Sequence, residues 1–112
     1  MKQLTKLQKL EVLDKLINLY TTADGFVCGI CYEFSDIIDE MKDLHFGVDM
    51  EDIFPELDKA IWEDYLDNSG YAYITNRIKS ENPTLGDKLI NKLVIAKRLE
   101  ILNNVRKEID NE

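Results

Sequence analysis

Three groups of side chains have the types and spacing to do chemistry. The first is Cys28-Gly29-Ile30-Cys31, a CxxC. Such a dithiol works in redox exchange when its first thiol sits near a helix N-terminus, where the backbone dipole lowers the thiol pKa. The second is acidic: Glu33, Asp36, Asp39 and Glu40, then Glu56, Glu63 and Asp67. Carboxylates at i, i+3 and i+7 of one helix can hold a hard cation or offer negative charge to a basic partner. The third is Tyr71, Tyr73, Arg77 and Lys79. Aromatic rings beside cations can hold a nucleotide by stacking and phosphate contact.

The rest of the sequence narrows these choices. It has no G-x-x-x-x-G-K-[ST] loop, no G-x-G-x-x-G fingerprint and no G-x-S-x-G elbow. An EF-hand starting at Asp49 would put Phe54 where glycine is needed. Base-assisted nucleophiles would have to route through a single histidine, His45, and no H-E-x-x-H or E-x-x-H surrounds it. Structural zinc takes four ligands, more than Cys28, Cys31 and His45 supply. The reading is therefore non-enzymatic, with no catalytic residue, cofactor or metal, and with the dithiol and nucleotide chemistries as alternatives.

The elements that must position these groups follow from apolar spacing. At about 100° per residue, Phe26, Val27, Ile30, Cys31, Phe34, Ile37, Ile38 and Met41 fall on one side of a helix over 25–41. Glu33, Asp36, Asp39 and Glu40 fall on the other, with Gly29 and Tyr32. Cys31 is then a small core residue and Cys28 lies at the core edge. Thr22 or Asp24 can cap this helix. Before it, Leu10, Leu13, Leu16, Ile17 and Tyr20 mark a first helix starting near Leu4. The short turn at 21–25 predicts an antiparallel pair. A loop over 42–49 leads, through a short turn at 50–54 that Asp49 could cap, to a third helix over 55–67. Pro55 opens that helix, and Leu57, Ile61, Trp62 and Tyr65 are its core side. Glu56, Glu63 and Asp67 share its outer face and could extend the acidic surface of the central helix. Asn68-Ser69-Gly70 reads as a helix C-cap, and Tyr71–Thr75 alternates as a β-prone segment. Asn82-Pro83 interrupts the chain, and Thr84 with Asp87 has the spacing of a capping box. A last helix over 85–109 is apolar nearly all round, so it is either central or shared with a second subunit in a homodimer. The expected fold is mostly α: one domain over 1–112, a compact bundle of about four helices with a short extended or β segment near 71–75.

Charge is distributed unevenly. The 112 residues carry a net −8, yet residues 33–67 alone hold 13 Asp/Glu against 2 Lys. Such a field disfavours direct binding to nucleic acid or anionic membranes and favours a basic protein partner. No apolar run approaches the ~20 residues of a membrane span. Two cysteines in a chain whose lysine-bearing N-terminus continues as an amphipathic helix, without a secretory leader, fit a reducing cytoplasm.

Residues 25–34, G-F-V-C-G-I-C-Y-E-F, with Phe54-Pro55-Glu56-Leu57, Gly70-Tyr71-Ala72-Tyr73 and the Leu/Ile-rich final helix, resemble a class of small bacteriophage-encoded accessory proteins. These carry a G-[LIF]-C-x-[AI]-[LC] helix and a similar ending. The resemblance covers much of the chain and implies a viral accessory protein acting on host machinery or host defence, in the host cytoplasm. Acidic phage proteins include nucleic-acid mimics that occupy basic clefts, and other small phage proteins sequester nucleotide immune signals. The class lends no catalytic residue. The leading expectation is an acidic helical face, Glu33, Asp36, Asp39, Glu40, Glu56, Glu63 and Asp67, docked on a basic host protein.

Overall fold

The computed structural model describes the backbone of residues 3–22, 27–43, 49–64 and 68–112, and the side chains of residues 3–22, 33–42, 49–64 and 73–112. Its helices are α1 (Lys6–Thr21), α2 (Val27–Asp43), α3 (Met50–Ile53), α4 (Pro55–Glu63), α5 (Asn68–Glu81) and α6 (Asp87–Asp110). The fold is mostly helical, but with six helices rather than about four among the described residues, and residues 71–75 are helical rather than extended.

The N-terminus of α1 is set by Thr5, whose hydroxyl accepts from the Gln8 N–H at 3.2 Å while Gln8 Oε1 accepts from the Thr5 N–H at 2.9 Å. This reciprocal box is worth about 1 kcal/mol over an uncapped end. The chain enters α1 held by a backbone bond from the Leu4 N–H to the Ile53 carbonyl, 2.8 Å. Leu13, Leu16 and Tyr20 then point into the core. Thr22 is the C-cap of α1 and not the N-cap of α2. The alternative cap, Asp24, lies outside the described residues, as do His45 and most of its loop. Helix α2 buries Phe34, Ile38 and Met41. Its Phe34 ring lies 6.3 Å from that of Tyr20, while Ile37, Glu40 and Met41 lie beside Leu4, Gln8 and Val12. The two helices are therefore antiparallel.

Residues 50–53 wind into one helical turn, and α4 follows directly with Pro55 at its start. Asp49 occupies the α3 cap position without a side-chain capping bond. Phe54, Leu57 and Ala60 are the core side of this region, Ile61 is half-buried, and Trp62 is 72% exposed. The expectation of Trp62 in the core is thus overturned. Helix α4 also stops at Glu63 rather than at residue 67.

The largest departure from expectation is α5. Asn68 begins a helix rather than capping the previous one, and Tyr71–Thr75 lies inside it. The alternation there spans only five residues and is equally a helical pattern: Ile74 and Ile78, at i and i+4, lie on one face, the former buried and the latter half-buried. A lone strand would leave its backbone groups unpaired, whereas a helix satisfies them internally. Asn82 ends α5, its N–H and its side-chain amide both donating to the Ile78 carbonyl at 3.0 Å. Pro83 blocks continuation.

Helix α6 is the central element. It packs on α1, α4 and α5 and buries Ile90, Val94, Ile95, Arg98, Ile101, Leu102, Val105 and Ile109. Arg98 Nη1 donates to the Tyr20 hydroxyl at 2.9 Å, Arg106 Nε to Asp14 Oδ1 at 2.9 Å, and Lys6 Nζ to the Asp110 carbonyl at 3.1 Å. Low numbers on α1 meet high numbers on α6, so this pair is antiparallel as well. The buried apolar side chains of the described residues form a core cluster drawn from α1 to α6. No helix among them is long and apolar enough to cross a membrane.

The N-cap of α6 is Gly86, with no side-chain capping bond, so Thr84 and Asp87 do not form the expected box. A Cβ added at Gly86 would meet nothing within 4 Å, and its φ of −74° suits any residue. Gly86→Ser should therefore raise the unfolding free energy by about 0.5–1 kcal/mol, through a capping hydroxyl and a less flexible unfolded chain. Denaturant titration of the two proteins checks this.

Candidate functional site

Two surfaces gather the singled-out residues, and they lie on different sides of α4. The first is the back of α2. Glu33, Asp36, Asp39 and Glu40 are all exposed, and none makes an ion pair among the described residues. Glu33, Asp36 and Glu40 form a row with axial steps of ~4.5 and ~6 Å. Asp39 turns toward α4. There it shares a recess of about 210 Å³ with Phe34, Ile38 and Lys42 of α2 and with Asp58, Ile61 and Trp62 of α4. The acidic row thus runs onto α4 through Asp58, beside an exposed indole.

The second surface is an open groove of about 680 Å³ between α4, α5 and α6. Glu63 lines it and faces away from the α2 row. Glu56 borders the same groove, but its carboxylate is nearly buried and held by Lys9 Nζ at 2.9 and 3.0 Å. Neither residue therefore extends the α2 row. The turn of α4 about its axis, set by burial of Phe54, Leu57 and Ala60, decides this. Asp67 lies outside the described residues.

The aromatic and basic group is also divided. Tyr73 and Arg77, at i and i+4 of α5, both line the groove. Lys79 is exposed and does not line it, because two residues of helix rotate it by about 200°. The Tyr71 side chain lies outside the described residues. Arg77 Nε is 3.4 Å from Glu81 Oε1, and Glu63, Asp64, Glu100 and Glu108 stand round the same groove. Carboxylates in that number oppose a phosphate.

The backbone places Cys28 in the first turn of α2 and Cys31 in the second. Their side chains lie outside the described residues. Among the described residues no group of three or more His, Cys, Asp or Glu side chains is arranged to hold a metal ion.

Two residues that matter were not evident in the sequence. Lys9 is buried on α1, where it bonds to Gln3 Oε1 at 2.9 Å as well as to Glu56 and lies 5.6 Å from the centre of the Phe54 ring. Arg98 is the largest fully buried side chain of the described residues. Position gives the signal for both. Lys9 is four residues before Leu13 on the buried stripe of α1, and Arg98 lies between Val94 and Leu102 on that of α6.

The chain matches no protein-family model, no curated protein and no solved structure.

Lys9 and Glu56 also set a pH dependence. Burial pushes the Glu56 carboxyl up, but hydrogen bonds with Glu112 and Lys9 outweigh it and hold the group below its ordinary 4.5. A carboxylate whose folded pKa is lowered stabilises the fold above its unfolded pKa. That contribution is lost as pH falls through the folded value. Glu56→Gln should cost about 1.5–3 kcal/mol at neutral pH, since the buried Lys9 ammonium loses its two short carboxylate bonds and keeps only the half-exposed Glu112 carboxylate, at 3.9 Å, as counter-charge. The deficit should shrink as pH falls from the ordinary carboxyl pKa, where the unfolded chain takes up the proton, through the lowered folded value, where the folded parent loses the same charge. Melting curves of parent and variant from acid to neutral pH measure it.

Proposed function

We propose that the protein is a non-enzymatic binding protein, a bacteriophage accessory or anti-defence factor that docks an acidic helical face on a basic nucleic-acid-binding protein of the host. The observation that carries this reading is the back of α2. Four exposed carboxylates, without ion pairs among the described residues, run up to an exposed tryptophan. Fixed negative charges along a rigid helix resemble a phosphate backbone to a basic cleft, and they raise the rate of encounter with it. Charge alone gives little affinity, and interface energy concentrates in buried aromatic anchors. Trp62, rimmed by Asp39 and Asp58, supplies such an anchor. Glu33, Asp36, Asp39 and Glu40 then set orientation and encounter, and Trp62 sets residence time.

The experiment measures competition. A panel of basic DNA-binding proteins from bacterial hosts is bound to labelled duplex DNA and titrated with this chain. For the cognate partner, the chain should displace DNA with an affinity that falls steeply between about 50 and 300 mM NaCl. The double variant Asp36→Lys/Glu40→Lys should weaken it by roughly tenfold or more, and Trp62→Ala should raise its dissociation rate. Displacement indifferent to both salt and charge reversal would defeat the reading.

A further inference from the structure

We propose that the groove between α4, α5 and α6 seats a basic amphipathic helix supplied by a partner protein. This goes beyond the docking of α2 and borrows from it only the sign of the partner's charge. Apolar exposure gives the first argument. Among the described residues five large hydrophobic side chains are exposed, and three of them, Tyr73, Leu89 and Leu93, belong to α5 and α6. Tyr73 and Leu93 line the groove at 49% and 39% exposure, and Leu89 continues the strip one turn further along α6. Ile74, Ile78, Ile101 and Val105 complete an apolar floor. An apolar floor rimmed by charge marks an interaction surface.

Shape gives the second argument. On α6 the lining runs from Leu93 to Glu108, a length of about 22 Å or four helical turns. A volume of about 680 Å³ is too small to swallow a helix. It suits the row of side chains that a helix lays down at i, i+3, i+4 and i+7. The partner's backbone then rides above the groove, with its flanking residues over the rim.

Charge selects the occupant. Three cations, Lys59, Arg77 and Lys97, line the groove against six carboxylates, and two of them are engaged: Arg77 with Glu81 at 3.4 Å, and Lys97 with Glu100 at 3.7 Å. Glu63, Asp64 and Glu108 line the groove without an ion pair among the described residues. Lysine or arginine flanking an apolar stripe would lay its alkyl stem on the floor and its charge against these carboxylates. A second copy of this chain, itself at −8, meets like charge there instead, and so does an anionic ligand.

The test uses the full chain, isotope-labelled, and three synthetic peptides of about 15 residues, the length that spans the groove. One carries Leu at i, i+3, i+4 and i+7 with Lys elsewhere. The second has the same composition with Leu out of helical phase, and the third has Glu in place of Lys. The in-phase Leu/Lys peptide should bind at least about tenfold more tightly than either control. It should move amide signals along α5 and α6. Leu93→Arg and Ala96→Arg, both at positions exposed in the free chain and each checked by its melting curve, should weaken it by about tenfold. Asp36→Lys/Glu40→Lys should leave it unchanged, which separates this site from the α2 face. The proposal is overturned if the two Leu/Lys peptides bind equally, if signals move only on α2, or if nothing binds. Self-association that Leu93→Arg abolishes would also overturn it, because the occupant would then be a second copy.

Discussion

A long helix that is apolar round most of its circumference has to be covered, and this chain arranges its other elements about that need. Helix α6 spans 24 residues, and α1, antiparallel to it, spans 16. Three polar ties, Arg98 to Tyr20, Arg106 to Asp14 and Lys6 to the Asp110 carbonyl, fix the register of the pair. The other flanks fall to α4 and α5, which are only 9 and 14 residues long. Two short helices cannot sheathe a long one completely. The strip they leave runs from Leu89 into the groove at Leu93. Its existence follows from helix lengths rather than from any special residue.

Two of the fourteen cations of this acidic molecule turn inward. Lys9 and Arg98 are both buried, and each ties α1 to another helix. Lys9 reaches Glu56 on α4, while Arg98 on α6 reaches Tyr20. Burying a charge is costly unless partners surround it. Lys9 meets that condition with a carboxylate, an amide oxygen and the face of Phe54. The geometry is specific, so these ties fix which helix lies against which, where apolar packing alone would tolerate slippage. With those cations inside, the exposed row of α2 and the rim of the groove keep their negative character.

Periodicity made much of the fold legible. The apolar stripes of α1, α2 and α6 are each several turns long, and their phase correctly places Glu33, Asp36, Asp39 and Glu40 outside and Phe34, Ile38 and Met41 inside. Helix α5 was misread because five alternating residues suit both periods, and only the supply of backbone partners decides between them. Trp62 was misread because size and apolarity argue for burial, whereas the turn of α4 is set by Phe54, Leu57 and Ala60. That same turn sends Glu56 toward Lys9 and Glu63 into the groove, a division between two surfaces that depends on how α4 lies against α2 and α6. The capping positions failed at α6 for a local reason: Gly86, and not Thr84, stands at the first turn.

The chain has a single tryptophan, and it is 72% exposed. Its emission therefore comes from an indole already in water. Unfolding changes that environment little, while a partner that closes over the recess between α2 and α4 removes the water and shifts the colour of the light. The molecule thus carries an optical probe nearly silent to its own folding and responsive to what lands beside Asp39 and Asp58. It is blind to anything bound on the far side of α4.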